Sequence, residues 1–222
     1  MAEVQTTNQS ILVVGGGMSG ITAALEAAEA GYDVVLVEKN PYLGGRGAQL
    51  HQYFPKLCPP LCGLEINFRR IKQNPRVRFF TMAEVENITG EEGNFDVTVT
   101  MRPRYVNEKC TACGKCAEAC TMEIDNAFNY GMDKMKAAYL PHSMAFPMRY
   151  VLDERLVKSA EAQAVKKACP YDAIDLEMAP KTMALKVGSI VWATGWKPYD
   201  ANKLDTYGFD EYPDVITNVM ME

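Results

Sequence analysis

The chain has 222 residues, 48% of them hydrophobic and 23% charged, an ordinary composition for one or two globular domains with a sizeable core. A formal net charge of −5 and the lack of a Lys/Arg cluster argue against nucleic acid or an anionic membrane surface as the main partner. No apolar run approaches the roughly eighteen residues of a bilayer span, and the polar opening MAEVQTTNQS lacks the basic-then-apolar pattern of a secretory signal, so any membrane contact is expected to run through another chain.

Ile11 to Glu38, ILVVGGGMSGITAALEAAEAGYDVVLVE, reads as strand, glycine turn, helix, strand. Ile11 to Val14 is a short apolar run of the kind a buried parallel strand shows, and it feeds into Gly15-x-Gly17-x-x-Gly20. In such a turn the first glycine permits the reversal, the second lets the backbone approach a pyrophosphate, and the third seats the helix on the strand. The helix predicted from Met18 to Ala30 opens with Met18 and Ser19, and its free amides would point at that phosphate. Ala24 is a second small residue on the sheet-facing side, Gly31 ends the helix, and Asp33 to Glu38 forms the second strand. Glu38, followed by Lys39, closes that strand, where a carboxylate accepts hydrogen bonds from a ribose diol and repels a 2′-phosphate. A bound dinucleotide is expected; the alternative is a glycine turn that binds none.

Pro41 to Arg46 then forms a loop containing Gly44 and Gly45, and much later SIVWATGWKP spans Ser189 to Pro198. A Glu-ended second strand followed by Gly-Gly-Arg resembles flavoproteins with two dinucleotide-binding domains. In those proteins this loop folds over FAD, and a late Ala-Thr-Gly strand returns to the FAD domain. The resemblance implies FAD rather than NAD, held by Gly15, Gly17, Met18, Ser19, Gly20, Glu38, Lys39, Gly44, Gly45, Arg46, Ala193, Thr194 and Gly195. Taken alone, the first segment is equally an ordinary loop and the second an ordinary strand end.

Between these two segments a helix is predicted from Leu64 to Lys72, with Cys58 and Cys62 before it, bracketing Pro59 and Pro60. A thiol at a helix N-terminus can be acidified, so a redox pair near a flavin is one reading. Unreactive loop thiols, or a ligand to something outside the chain, are the others. Arg76 to Phe80 reads as a third parallel strand. Ala83 to Thr89 and Phe95 to Met101 alternate like antiparallel strands about a turn at 90–94, but a third such strand comes only at Thr182 to Val187. Arg102 to Met178 is therefore read as a domain inserted at a loop tip. The organisation expected is the first part of an FAD-binding domain over 1–101, the insert over 102–180, and a return strand with the start of a further segment over 181–222.

Seven grouped cysteines in a chain with no secretory signal point to metal or cluster chemistry in a reducing compartment rather than to disulfides. The insert repeats itself: Arg104-Tyr105-Val106 leads to Cys110-x-x-Cys113-x-x-Cys116-x-x-x-Cys120, and Arg149-Tyr150-Val151 leads to Cys169-Pro170. Both halves resemble a bacterial-type ferredoxin, and the first run has the spacing of a [4Fe–4S] site. Zinc is the rival, but it usually takes a second CxxC or histidines, and the chain has only His51 and His142, neither near a second knuckle. In two-cluster ferredoxins the fourth cysteine of a run serves the other cluster. Cys169 takes that place in the second run, whose other three positions are Ser159, Ala162 and Val165. One cluster on Cys110, Cys113, Cys116 and Cys169 is expected, with Cys120 as the competing fourth ligand.

A flavin fold with such an insert ahead of the Ala-Thr-Gly strand resembles the A-type subunits of heterodisulfide reductases. Within that family it looks most like the branch found in quinone-interacting membrane-bound oxidoreductase complexes of sulfate reducers. The resemblance implies an α/β fold, a Rossmann-like FAD-binding domain with an inserted ferredoxin-like α+β iron–sulfur domain. It also implies electron transfer between FAD and one [4Fe–4S] cluster in the cytoplasm, at the membrane through partner subunits, with a quinone pool and adenylylsulfate reductase as electron partners. Two other classes are open: a self-sufficient flavin-dependent disulfide reductase using Cys58 and Cys62, and a non-catalytic nucleotide-binding scaffold. Such subunits continue past the position of Glu222, so residues 1–222 alone are expected to retain flavin weakly.

Overall fold

A computed structural model describes residues 8–222, so most of the polar opening lies outside it. Strand β1 (Ile11–Val14), helix α1 (Met18–Glu29) and strand β2 (Val34–Glu38) form the first unit, with β1 and β2 parallel. Helix α2 (Leu61–Gln73) and strand β3 (Val77–Thr81) follow, and β3 lies parallel to β2. Helix α1 ends at a C-cap, Ala30, with Gly31 at φ +103° beyond it, the left-handed exit that glycine adopts without a Cβ penalty. Helix α2 begins at Leu61, three residues ahead of the predicted start, because Pro60 at φ −57° already has the helical dihedral and has no amide hydrogen to leave unpaired.

The antiparallel pair β4 (Ala83–Glu91) and β5 (Asn94–Met101) carries a register shift between Val85 and Asn87. After β5 come the short elements of the insert: α3 (Lys115–Glu118), β6 (Glu123–Asp125), β7 (Lys134–Lys136), β8 (Ala138–Tyr139), β9 (Val151–Leu152), α4 (Glu154–Val157) and α5 (Ala162–Lys167). Strand β10 (Lys181–Val187) then pairs with β5, and Met101 stands opposite Lys181. The chain thus leaves and rejoins the meander at one point. Strand β11 (Ser189–Trp192) pairs with β1 and completes a parallel sheet of order β11-β1-β2-β3. A last turn of helix, α6, spans Asn218–Met221.

Both faces of the parallel sheet are covered, which explains why its strands are continuous apolar runs rather than alternating ones. Val13, Val34 and Leu36 pack towards α1 and α2, while Leu12, Val35 and Val37 pack against Val97, Val99 and Leu185 of the meander. The insert has a core of its own, built from Val106, Leu152, Leu156, Val165 and Ile174 among others. One part of it behaves differently. Ala145 and Phe146 enter the core of the first unit, with the Phe146 ring stacked 4.8 Å from Phe68 and 5.1 Å from Phe79, and the Leu43 amide donates to the Phe146 carbonyl at 2.8 Å. The insert is therefore fastened to the loop that follows β2.

Candidate functional site

The glycine turn joins β1 to α1, and its three motif glycines answer to different neighbours. A Cβ on Gly15, which sits at φ +110°, would overlap the Ala193 carbonyl, and one on Gly20 would overlap the Gly15 carbonyl. These two positions are glycine because the protein's own backbone fills the space. A Cβ on Gly17 would meet nothing within 4 Å, and its φ of −76° is open to any residue. No packing inside the chain demands glycine there, which leaves its N-cap position and the close approach of a ligand as reasons for it. Gly17 is also the N-cap of α1, without a side-chain capping bond and with no acidic residue in the first turn. Met18 and Ser19, both exposed in that turn, present amides suited to an anion.

Glu38 lies beside this turn, buried to 5% exposure. Its Oε2 accepts from the Gly16 amide at 2.6 Å and its Oε1 from the Asn40 amide at 2.8 Å. Each carboxylate oxygen keeps a further lone pair for a diol hydroxyl. The Lys39 side chain is exposed, and its carbonyl accepts from Arg102 at 2.9 Å.

The Gly44-Gly45-Arg46 loop closes over the glycine turn. The Gly44 amide donates to Gly16 O at 2.7 Å, Gly17 and Gly44 form an isolated parallel bridge, and a Cβ on Gly45 would lie 2.9 Å from Gly17 Cα. Arg46 donates to the Trp196 carbonyl at 3.0 Å and to Tyr130 Oη at 3.1 Å, and its guanidinium stacks 4.1 Å from the Trp196 ring. Ala193 donates to Val14 O at 2.8 Å, which brings the Ala193-Thr194-Gly195 segment to the same turn, with Gly195 at φ +70°. The Gly44-Gly45 loop and Ala193 thus both pack against the glycine turn, the first at Gly17 and the second at Gly15 and Gly20, while Thr194 and Gly195 stay exposed.

The cysteines fall into two sets. Cys110, Cys113, Cys116 and Cys169 line one small cavity, together with Val106, Gly114, Tyr150, Tyr171, Ala173 and Ile174. Backbone amides already point at two of the sulfurs, Ala112 N to Cys110 Sγ and Ala173 N to Cys169 Sγ, each at 3.4 Å. Burial, with Cys110 and then Cys169 as smaller contributors, pushes the Cys116 thiol up to about 12. A thiol buried in this way ionises readily only when a positive charge or a metal stands beside it. Cys120 does not line the cavity. It is 2% exposed, packs in the core of the insert with Leu156 and Val165, and its thiol donates to Met122 O at 3.5 Å.

The region that would hold a second group is filled. Val165 and Ala162 are buried, Ser159 Oγ donates to Leu156 O at 2.7 Å, and Glu161 accepts from the Thr121 and Met122 amides at 3.3 and 3.2 Å. Cys58 and Cys62 do not line the cysteine cavity. Cys62 is exposed in the first turn of α2, Cys58 is partly buried with its carbonyl taking the Tyr53 amide at 3.3 Å, and neither is in a disulfide. His51 is exposed. His142 is wedged between Tyr42 and Phe128, its ring 5.1 and 4.8 Å from theirs, with neither nitrogen hydrogen-bonded. Burial there lowers it to about 4.

A family model described as FAD dependent oxidoreductase matches residues 10–61, the turn and loop just described. Along nearly its whole length the chain is similar to the A-type subunits of heterodisulfide reductases. The first of two such iron–sulfur subunits of the CoB–CoM enzyme of Methanopyrus kandleri is 41% identical over 221 residues, covering 99% of this chain and 33% of that protein. Its counterpart in Methanocaldococcus jannaschii is 39% identical over 221 residues, with 99% and 33% covered. The A-type component of the ferredoxin:CoB–CoM heterodisulfide reductase of Methanosarcina mazei is 37% identical over 218 residues, with 97% and 27% covered. The chain spans about a third of the length of these relatives.

Proposed function

We propose that this chain is the part of an electron-transfer subunit that holds FAD and one [4Fe–4S] cluster, in a complex of the heterodisulfide reductase kind. The observation that carries the reading is the sorting of the insert's cysteines, four around one cavity and Cys120 sealed in the core. A [4Fe–4S] cubane, which takes one thiolate at each of its four irons, suits four cysteines around one cavity with CxxCxxC spacing among the first three. The open Cβ position at Gly17 and the uncapped start of α1 suit a dinucleotide phosphate, and Glu38 suits the adenosine ribose.

When bound, flavin accepts electrons in pairs and releases them singly, and an iron–sulfur cluster carries one at a time. The chain's residues position these groups: the amides of Met18 and Ser19 and the Gly44-Gly45-Arg46 loop hold the dinucleotide, and Cys110, Cys113, Cys116 and Cys169 the cluster. We assign no residue as general acid or base. The partners are other subunits of the complex. In the quinone-linked reading they include a membrane-embedded one, with adenylylsulfate reductase as electron partner, a reading that rests on sequence resemblance and is tested by identifying what co-purifies with the full-length protein.

The cluster assignment is tested by serine replacement and low-temperature electron paramagnetic resonance of the reduced protein. Cys169→Ser is expected to abolish or alter the signal and Cys120→Ser to leave it, with about four irons per chain for one cubane. A parental signal in Cys169→Ser and its loss in Cys120→Ser would assign the fourth ligand the other way.

A further inference from the structure

Arg104 is the first residue of the repeated Arg-Tyr-Val motif, and its side chain is turned inward, 7% exposed. Its Nη1 donates to the Arg149 carbonyl at 2.9 Å, and Nη2 to Thr81 Oγ1 at 3.0 Å and to the Pro41 carbonyl. Pro41 belongs to the loop between Glu38 and Gly44, Thr81 ends β3, and Arg149 precedes Tyr150 of the cysteine cavity. One guanidinium therefore joins the dinucleotide loop, the parallel sheet and the cavity wall.

These partners are all neutral oxygens. Burial and the nearby Arg149 charge push Arg104 down to about 10, and the groups that act in its favour are Tyr139 and Cys110, with no carboxylate among them. A buried guanidinium without a carboxylate is costly unless an anion outside its hydrogen-bond set compensates it. Val106, two residues after Arg104, and Tyr150, the residue after its Arg149 partner, both line the cysteine cavity, so the charge stands behind the wall of the place where thiolates would gather.

We propose that Arg104 is a positioning residue that docks the insert on the dinucleotide loop and raises the reduction potential of the group held by the cavity thiolates. The inference rests on the function proposed above. Reduction of that group is the uptake of one electron with no bond broken. The added negative charge stays on the cluster, and a fixed buried positive charge nearby favours the reduced state.

The test uses full-length protein loaded with cluster and flavin, poised with dithionite and mediators while the cluster signal is followed by electron paramagnetic resonance. Arg104→Gln is expected to lower the midpoint potential, and Arg104→Lys to recover most of it. A tenfold change in the reduced-to-oxidised ratio at fixed ambient potential corresponds to about 59 mV for a one-electron couple. Thr81→Asp keeps Arg104 in place and sets a carboxylate against it, so it is expected to lower the potential as well, whereas Thr81→Asn is expected to leave it unchanged. Thr81→Asp also decides the matter if Arg104→Gln does not fold. Unchanged potentials in cluster-loaded Arg104→Gln or Thr81→Asp would overturn the inference, as would an Arg104→Lys value equal to that of Arg104→Gln. Absence of any cluster signal in the parental protein would instead overturn the function on which the inference rests.

Discussion

Replacing Gly17 and Gly20 separately by alanine separates a glycine required by a ligand from one required by the fold. At Gly20 the new methyl would overlap the Gly15 carbonyl inside the turn. The helix must shift to admit it, and overpacking of this kind costs about 1–3 kcal/mol. In a chain of 222 residues, each kcal/mol moves the melting temperature by about 2–4 °C, so Gly20→Ala is expected to melt about 2–12 °C lower. At Gly17 the methyl enters open space at a φ of −76°. Reduced freedom of the unfolded chain favours alanine by about 0.4–1 kcal/mol, and the poorer N-cap opposes it by a similar amount. The flavin-free melting temperature is expected to stay within a few degrees of the parent. In the flavin titration the order reverses: a methyl against a pyrophosphate at a cost of about 1.4–2.8 kcal/mol weakens binding about 10- to 100-fold. Differential scanning fluorimetry of flavin-free protein and quenching of FAD fluorescence provide the two measurements. Equal destabilisation by both substitutions, or parental FAD affinity in Gly17→Ala, would refute the reasoning.

Glu38→Gln leaves one of the Gly16 and Asn40 amides facing an NH2 group instead of an oxygen, so it is expected to cost about 1–3 kcal/mol of flavin-free stability as well as FAD affinity; chemical denaturation checks the first part. Because His142 is held neutral by burial, with its folded value near 4 below the ordinary 6.5, the unfolded chain takes up its proton first. Stability from this group is present above about pH 6.5 and lost as pH falls towards 4, and His142→Phe is expected to flatten that part of a melting-temperature profile relative to the parent. Phe146→Ala removes a ring that is 7% exposed and stacked on Phe68, and is expected to cost about 3–5 kcal/mol in urea unfolding although it lies in the insert. A loss below about 1 kcal/mol, far under the usual cost of deleting a buried ring, would show that the insert does not support the first unit's core.

The local rules of the chain made the dinucleotide unit legible. A buried parallel strand must be apolar throughout, a tight turn into a helix needs glycine, and a helix ending in the left-handed region favours Gly31, so Ile11 to Glu38 carries its fold in its own spacing. The meander was readable from its period of two, and its late third strand, which the fold pairs with the second so that Met101 stands opposite Lys181, was what suggested an insertion. Cysteine spacing marked the first three cavity thiols, since Cys110, Cys113 and Cys116 are local to one another. For the fourth, the sequence preferred Cys169, from its place before Pro170, and kept Cys120 as the competitor; in the fold Cys169 lines the cavity while Cys120 packs in the apolar core, which supports that preference and leaves the ligand itself to the serine variants. The roles of Arg104 and Phe146, by contrast, have no sequence signal. A charged residue reads as solvent-facing and a lone aromatic as local core, and their true partners, Pro41 and Thr81 for one and Leu43, Phe68 and Phe79 for the other, are far away in sequence. Local periodicity records which face of an element is apolar. It carries no record of which distant backbone carbonyl or ring the folded chain brings against that face.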